Sequence, residues 1–331
     1  MSLQTGSGRR KFLEQLALLG ISAPLASGML NAKSRVAERY RNSADAQIDA
    51  ICVFSKHLHF LDYEEMAGVI KEMGFDGIDL TVRPEGHVLP ENVERDLPRA
   101  VEAAKKAGVT VPAITTSITA VSEPHTEKIL ATASGLGIKY YRMGWLGYNH
   151  EKSLVDNLNG SIPQFRALAD MNKKYGIIGD YQNHAGLHIG APVWDLHRIL
   201  AKLDPNWIGC QYDIRHATVE GGTCWPLGLE LIRPFIHTID IKDFYWKMVN
   251  GKWVDFNSPV GEGMVDFGQY FGMLKKMGVR ATISMHFEYP LTDSPDSMLP
   301  AKSELDQVKS KMVRDLKSLQ GFISGAGIRY K

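Results

Sequence analysis

Eight short runs rich in β-branched and apolar residues recur between residue 50 and residue 287. They read AICVFS near 50, GIDLTV near 77, VTVPAIT near 109, IKYYRMG near 138, GIIGDYQ near 176, WIGCQYD near 207, FIHTIDI near 235 and ATISMHF near 281. Between them, DYEEMAGVIKEMG, NVERDLPRAVEAAKKAG, SIPQFRALADMNKKYG, APVWDLHRILAKLD and FGQYFGMLKKMG carry helical periodicity, and several end in lysine then glycine, a common helix stop. Eight strands alternating with helices predict an α/β fold, a closed (β/α)8 barrel. A doubly wound open sheet is the competing arrangement. It would usually place a glycine-rich phosphate loop after its first strand, whereas FSKHLHFLDY follows here without a glycine. The stretch YWKMVNGKWVDFNSPVGEGMVD, from Tyr245 to Asp266 after the seventh run, reads as one long loop that on a barrel would cover the C-terminal mouth.

The chain is 331 residues long, 44% hydrophobic and 23% charged, which suits one large barrel with a sizeable core. A formal net charge of +1, with no basic cluster, argues against nucleic acid as a partner. The N-terminal stretch GSGRRKFLEQLALLGISAPLASGML pairs two arginines with Phe-Leu and an apolar run. It resembles a twin-arginine export signal, so residues 1–45 are read as leader and linker, residues 46–331 as the barrel, and the periplasm as the destination. The apolar run is too short for a stable membrane span. Cys52, Cys210 and Cys224 form neither a disulfide framework nor a C-x-x-C pair; Cys52 and Cys210 read as buried thiols.

Strand side chains alternate between two faces, and a barrel draws its chemistry from the inward set near strand C-termini. In HTIDIKDFYW, from His237 to Trp246, Ile239 and Ile241 share one face while Thr238, Asp240 and Lys242 share the other. The same parity turns Gln211, Asp213 and Arg215 inward on the sixth run, and Thr282, Ser284, His286 and Glu288 on the eighth. On the fifth it turns Asp180, Gln182 and His184 inward, and on the second Asp79, Thr81 and Arg83. Carboxylates tolerate such burial when they coordinate a metal, so Gln182, Asp213, Asp240 and His286 are candidate ligands of one divalent cation, manganese, magnesium or zinc. A structural ion pair between Asp240 and Lys242 is the plainer alternative.

Five segments, MGFDGIDL, YQNHAG, YDIRHA, IDIKD and SMHFEYP, occur in an order and spacing that resembles the sugar phosphate isomerase/epimerase family, the xylose isomerase-like TIM barrels, over about residues 47 to 320. The resemblance implies a divalent metal held by Glu, Asp, His and Glu from strands five to eight, with the two glutamates moving protons on either side of a keto sugar. By position these fall on Gln182, Asp213, Asp240 and His286, of which only Asp213 matches in kind. Glutamine cannot take up a proton, so the two-glutamate shuttle is missing. Proton transfer then falls to His184, His216, Lys242 or Glu288. His57 and His87, with Arg142, Trp145 and Trp246, are candidates for holding the sugar.

The expected function is a metal-dependent sugar isomerase or epimerase that abstracts a proton next to a carbonyl through an enediolate. A lyase acting on oxidised glycosides by the same intermediate, and a barrel that binds carbohydrate without catalysis, are the alternatives. Endonuclease activity would need a basic groove, and none is evident. The partner is a small-molecule sugar, with homo-oligomerisation left open.

Overall fold

The computed structural model describes residues 45–293 and 300–330; the expected export leader lies outside the described residues. Eight parallel strands close into a barrel: β1 (Gln47–Phe54), β2 (Gly77–Thr81), β3 (Thr110–Thr115), β4 (Tyr140–Arg142), β5 (Ile178–Gln182), β6 (Ile208–Asp213), β7 (Ile236–Ile241) and β10 (Arg280–Met285). Each pairs with its sequence neighbour, and β10 returns to β1, so no edge is left open. All eight predicted strands are present. A short β11 (Arg329–Tyr330) adds to the start of β1.

The helices α1 (Tyr63–Met73), α2 (Val93–Ala107), α3 (Thr126–Gly135), α4 (Leu154–Tyr175), α5 (Val193–Leu200), α6 (Ile214–Gly221), α7 (Trp225–Ile232), α8 (Phe267–Met277) and α9 (Leu305–Gly325) pack around the strands. Their ends carry the expected signals. Asp62 caps α1 in a reciprocal capping box with Glu65, and Gly74 closes it in the left-handed conformation. Outward strand residues such as Ile208, Tyr212, Ile239, Ile241, Ile283 and Met285 are buried against Leu196, Leu229, Phe267 and Phe271 of the helices. Cys52 and Cys210 are buried free thiols, as expected, and Cys224 is exposed.

One expectation is corrected. The segment from Tyr245 to Asp266 is not all loop: β8 (Asp243–Val249) and β9 (Lys252–Ser258) pair antiparallel as a hairpin rising from the end of β7. Its turn is Asn250–Gly251, both with positive φ, and this two-residue geometry matches the twist of the strands it joins. Asp243 fixes the base of the hairpin by accepting backbone N–H groups from Phe244, Gly261, Gly263 and Val265.

Inside the barrel the inward residues form two layers of polar contacts. In the deeper layer, Asp180 accepts from His237 at 2.6 Å and from Thr238 at 2.8 Å. Asp79 accepts from Thr115 at 2.9 Å and from Ser284 at 2.7 Å. Gly209 makes room for this layer, since a Cβ there would fall 2.4 Å from the His237 ring. The second layer, nearer the strand C-termini, holds the candidate site.

Candidate active site

Strands β5, β6, β7 and β10 bring Gln182, Asp213, Asp240 and His286 together at the mouth of the barrel, each buried. The register explains the convergence: Gln182 lies beside Gln211, Asp213 beside Asp240, and Asp240 beside Ser284 on adjacent strands. Two residues beyond Asp240, Lys242 turns inward as the alternation requires. Its Nζ stands 3.1 Å from Asp213 Oδ2 and 3.9 Å from Glu288 Oε2.

Gln182 is oriented opposite to what a carbonyl-oxygen ligand requires. Arg142 can only donate, and its Nη1 lies 3.2 Å from Gln182 Oε1. The amide nitrogen therefore faces the two carboxylates, donating to Asp213 Oδ2 at 2.9 Å and closely to Asp240 Oδ2. Gln211 donates to Asp240 Oδ1 at 2.7 Å, and the His216 backbone N–H donates to Asp213 Oδ1 at 3.0 Å. All four carboxylate oxygens thus accept from N–H donors. Among the described residues no group of three or more His, Cys, Asp or Glu side chains has metal-holding geometry. The four expected ligands meet, but as arranged they do not fit a divalent ion.

The proton-carrying candidates surround Lys242. Glu288, with a side chain 23% exposed, opens toward solvent, and the Lys242 ammonium holds its carboxyl well below the ordinary carboxylate range. His286 stacks on Phe54 at 4.3 Å; its burial disfavours charge, but Asp240 and Glu288 outweigh that and raise its pKa. Burial pushes the Asp213 carboxyl up while Lys242 pulls it down. His184 is half-buried between Trp145 and His216, with ring centroids 4.5 and 3.9 Å away. Burial, then the Lys242 charge, lowers its pKa to about 4. The same two causes hold His216 well below the ordinary histidine value. Both rings are therefore neutral at pH 7.

The remaining expected sugar contacts divide. Arg142 is buried in the network, its guanidinium 5.0 Å from the Trp145 ring and 5.5 Å from that of Phe54. Trp246 stands on the hairpin, 39% exposed. His57 is buried, and its Nε2 accepts the Phe287 backbone N–H at 3.0 Å, so the ring ties the turn after β1 to the segment after β10. Burial lowers its pKa to about 3, in keeping with that acceptor role. His87 packs edge-on against His59 and contacts Thr81; burial lowers its pKa to about 3 as well.

Four site residues escaped the sequence reading. Asn183 clamps Asp213 by bonding both its N–H and its carbonyl, at 2.8 and 3.0 Å. Gln211, although noted as inward, was given no part, yet it bonds Asp240. Arg215 reaches across to Asp255 of the hairpin at 2.8 Å, and Asn257 donates to the Glu288 carbonyl at 3.2 Å. The signal for the last two was the Asn-Gly dipeptide flanked by alternating residues, which marks a hairpin. Eight polar atoms of these residues are buried without a hydrogen-bond partner: Arg142 Nε, Trp145 Nε1, Gln211 Oε1, Arg215 Nε, His216 Nε2, Asn257 Oδ1 and both ring nitrogens of His286, although His216 Nε2 and the His286 nitrogens keep longer contacts of 3.6, 3.4 and 3.7 Å with Asp213, Asp240 and Glu288.

Structural comparison finds the same barrel in proteins of low sequence identity. A 3-keto-D-glucoside 4-epimerase from E. coli superposes with a TM-score of 0.61 at 15% identity, over 81% of this chain and 99% of that one. The IolI protein with a bound zinc atom gives 0.64 at 17%, over 83% and 99%. A D-allulose 3-epimerase from Methylomonas sp. gives 0.57 at 16%, over 83% and 99%. At such identities the likeness carries the fold alone. No curated protein matches in sequence. The closed parallel barrel, the inward polar groups on β5, β6, β7 and β10, and a match over residues 67–310 agree: the chain belongs to the xylose isomerase-like TIM barrel family.

Proposed function

We propose that this protein is a sugar isomerase or epimerase-like enzyme that removes a proton from the carbon beside the carbonyl of a keto sugar. The observation that carries the reading is the fixed ammonium of Lys242 set beside an ionised carboxylate, Glu288, with a neutral imidazole, His184, within reach of the same charge. As the proton leaves, negative charge grows on the carbonyl oxygen. A preorganised cation there is worth about 10²–10³ in rate. Lys242 supplies it, with the Arg142 guanidinium behind it. Glu288 is the base, since it is ionised and open to the mouth. His184 carries the second proton movement, a second base within the field of Lys242. Trp145 and Trp246 offer faces on which a sugar ring can stack. Return of the proton to the same carbon on the opposite side inverts it, and return to the neighbouring carbon isomerises the sugar.

Several relatives of the same fold are epimerases of keto sugars by name, which supports an enzyme of this general kind. The test is incubation with a panel of keto sugars in D2O, followed by proton NMR. Loss of the signal beside the carbonyl is expected for at least one member. A panel in which no α-proton exchanges would sink the reading.

A second reading, elimination from an oxidised glycoside, is favoured by Gln182 and by the hairpin. Gln182 cannot return a proton, and Trp253, 64% exposed on the hairpin, offers a further aromatic face for the second ring of a glycoside. The same enediolate would then expel its β-alkoxy group, protonated by Lys242. An enone absorbance appearing with a keto-glycoside, without epimer formation, distinguishes this outcome. In either case the twin-arginine leader of residues 1–45 would deliver the enzyme to the periplasm, which cell fractionation checks.

A further inference from the structure

The buried carboxylates at the mouth are filled from within the chain. Gln182 and Gln211 donate to Asp240, while Gln182, the His216 backbone and the Lys242 ammonium face Asp213. A divalent ion there would compete with those donors for the oxygen lone pairs, and it would lie against a fixed positive charge 3.1 Å from Asp213. Arg142, also buried, locks the Gln182 amide so that its nitrogen and not its oxygen faces the acids. Two buried cations, Lys242 and Arg142, already stand against two buried carboxylates, Asp213 and Asp240.

We propose that the cation of this site is built into the chain: Lys242 Nζ supplies the positive charge that faces the buried acids at the mouth, and the protein binds and turns over its sugar without a divalent ion. Lys242 carries three N–H groups and meets two acids, Asp213 and, at longer range, Glu288, so donor capacity is left for a substrate oxygen. Arg142 Nε is buried without a hydrogen-bond partner, and His216 Nε2 and His286 Nε2 stand 3.6 and 3.4 Å from Asp213 and Asp240, contacts long enough to suit a polyhydroxylated ligand, whose hydroxyls both donate and accept.

Elemental mass spectrometry on the full-length protein, after incubation with Mn2+ or Zn2+ and desalting, is the first measurement. Far less than one ion per chain is expected, and a stoichiometric ion overturns the proposal. The second uses the double variant Gln182→Glu with Lys242→Ala, which removes the ammonium and restores an acid. It is expected to take up one Mn2+ per chain by calorimetric titration. A variant with wild-type circular dichroism that still takes up no ion would also overturn the proposal, because the ammonium would not be what excludes the metal. Should the variant fail to fold, the wild-type ion content decides alone. The catalytic consequence rests on the proton-abstraction reading, so exchange in D2O is run with and without EDTA. Rates equal within about twofold support the built-in cation. Exchange abolished by EDTA and restored by Mn2+ overturns it while leaving proton abstraction intact, whereas no exchange in either buffer counts against proton abstraction and leaves the ion content to decide.

Discussion

The barrel holds two buried polar layers a few residues apart on the same strands, and they are built on different principles. In the deeper one, each oxygen of Asp180 and of Asp79 meets one donor from a facing strand. In the mouth layer Asp213, Asp240, Lys242, Arg142 and Glu288 are packed together, and eight buried nitrogen or oxygen atoms of the site residues lack a hydrogen bond. Unpaired buried groups cost about 1–3 kcal/mol each. A stable fold carries that cost where a ligand completes the contacts. The deeper layer is closed on itself, whereas the mouth layer keeps unpaired polar atoms, which under the proposed function a sugar would meet.

The comparison breaks most visibly through Lys242. Lys242→Met is expected to lower kcat/KM by about 10²–10⁴, the range of an acid, base or electrostatic group acting in the transition state. Steady-state kinetics on the exchanging sugar checks it, and a loss under tenfold would place Lys242 with the structural layer.

The opposite result is expected one layer down. Asp180→Ala should cost about 2–4 kcal/mol of stability in urea denaturation, because His237 and Thr238 lose their shared acceptor. Its kcat/KM, measured on the remaining folded protein, should stay within about threefold of wild type.

Acid sharpens the contrast further. His57, His87 and His184 have folded pKa values near 3, 3 and 4, below the ordinary 6.5, so the unfolded chain binds more protons than the folded one between those values. Their contribution to stability is complete above pH 6.5 and drains away as pH falls toward 4 and 3. His286 runs the other way: its raised pKa contributes stability below pH 6.5 that is lost as pH rises through the folded value. His216, His59 and His197, also lowered by burial, act in the same direction as those three, so the histidines together favour a net fall in Tm on the acid side. His57→Gln should flatten that fall, and an unchanged slope would contradict the buried neutral ring.

Much of this was legible in the sequence, for physical reasons that also explain the failures. Strand parity is strict, so Asp213, Asp240, Lys242 and His286 could be turned inward from residue spacing alone. What parity cannot give is the partner each group meets across the barrel. Gln182 was read as an oxygen donor to a metal, and only Arg142, forty residues away, reveals that its nitrogen faces the acids. His57 stood in a polar run after the first strand and looked like a mouth residue. Its role depends on the Phe287 N–H, 230 positions distant. The hairpin was written in the sequence as Asn250–Gly251 between alternating residues, but its position after a barrel strand made it read as loop.

The smallest expected effect lies at the hairpin tip. Trp253→Ala should change stability by no more than about 0.5 kcal/mol, as exposed substitutions do. If the hairpin forms part of the sugar site, KM rises while kcat holds, and it rises more for a glycoside than for a free keto sugar.

The central claim is that the acids at the mouth hold an ammonium where a metal would otherwise sit, and that this ammonium meets the substrate. Crystals soaked with an exchanging keto sugar and Mn2+, measured at a wavelength where manganese scatters anomalously, test it directly. The account predicts a sugar oxygen within about 3.2 Å of Lys242 Nζ and no anomalous peak between Asp213 and Asp240. A manganese peak there, with Lys242 swung away from Asp213, would contradict it.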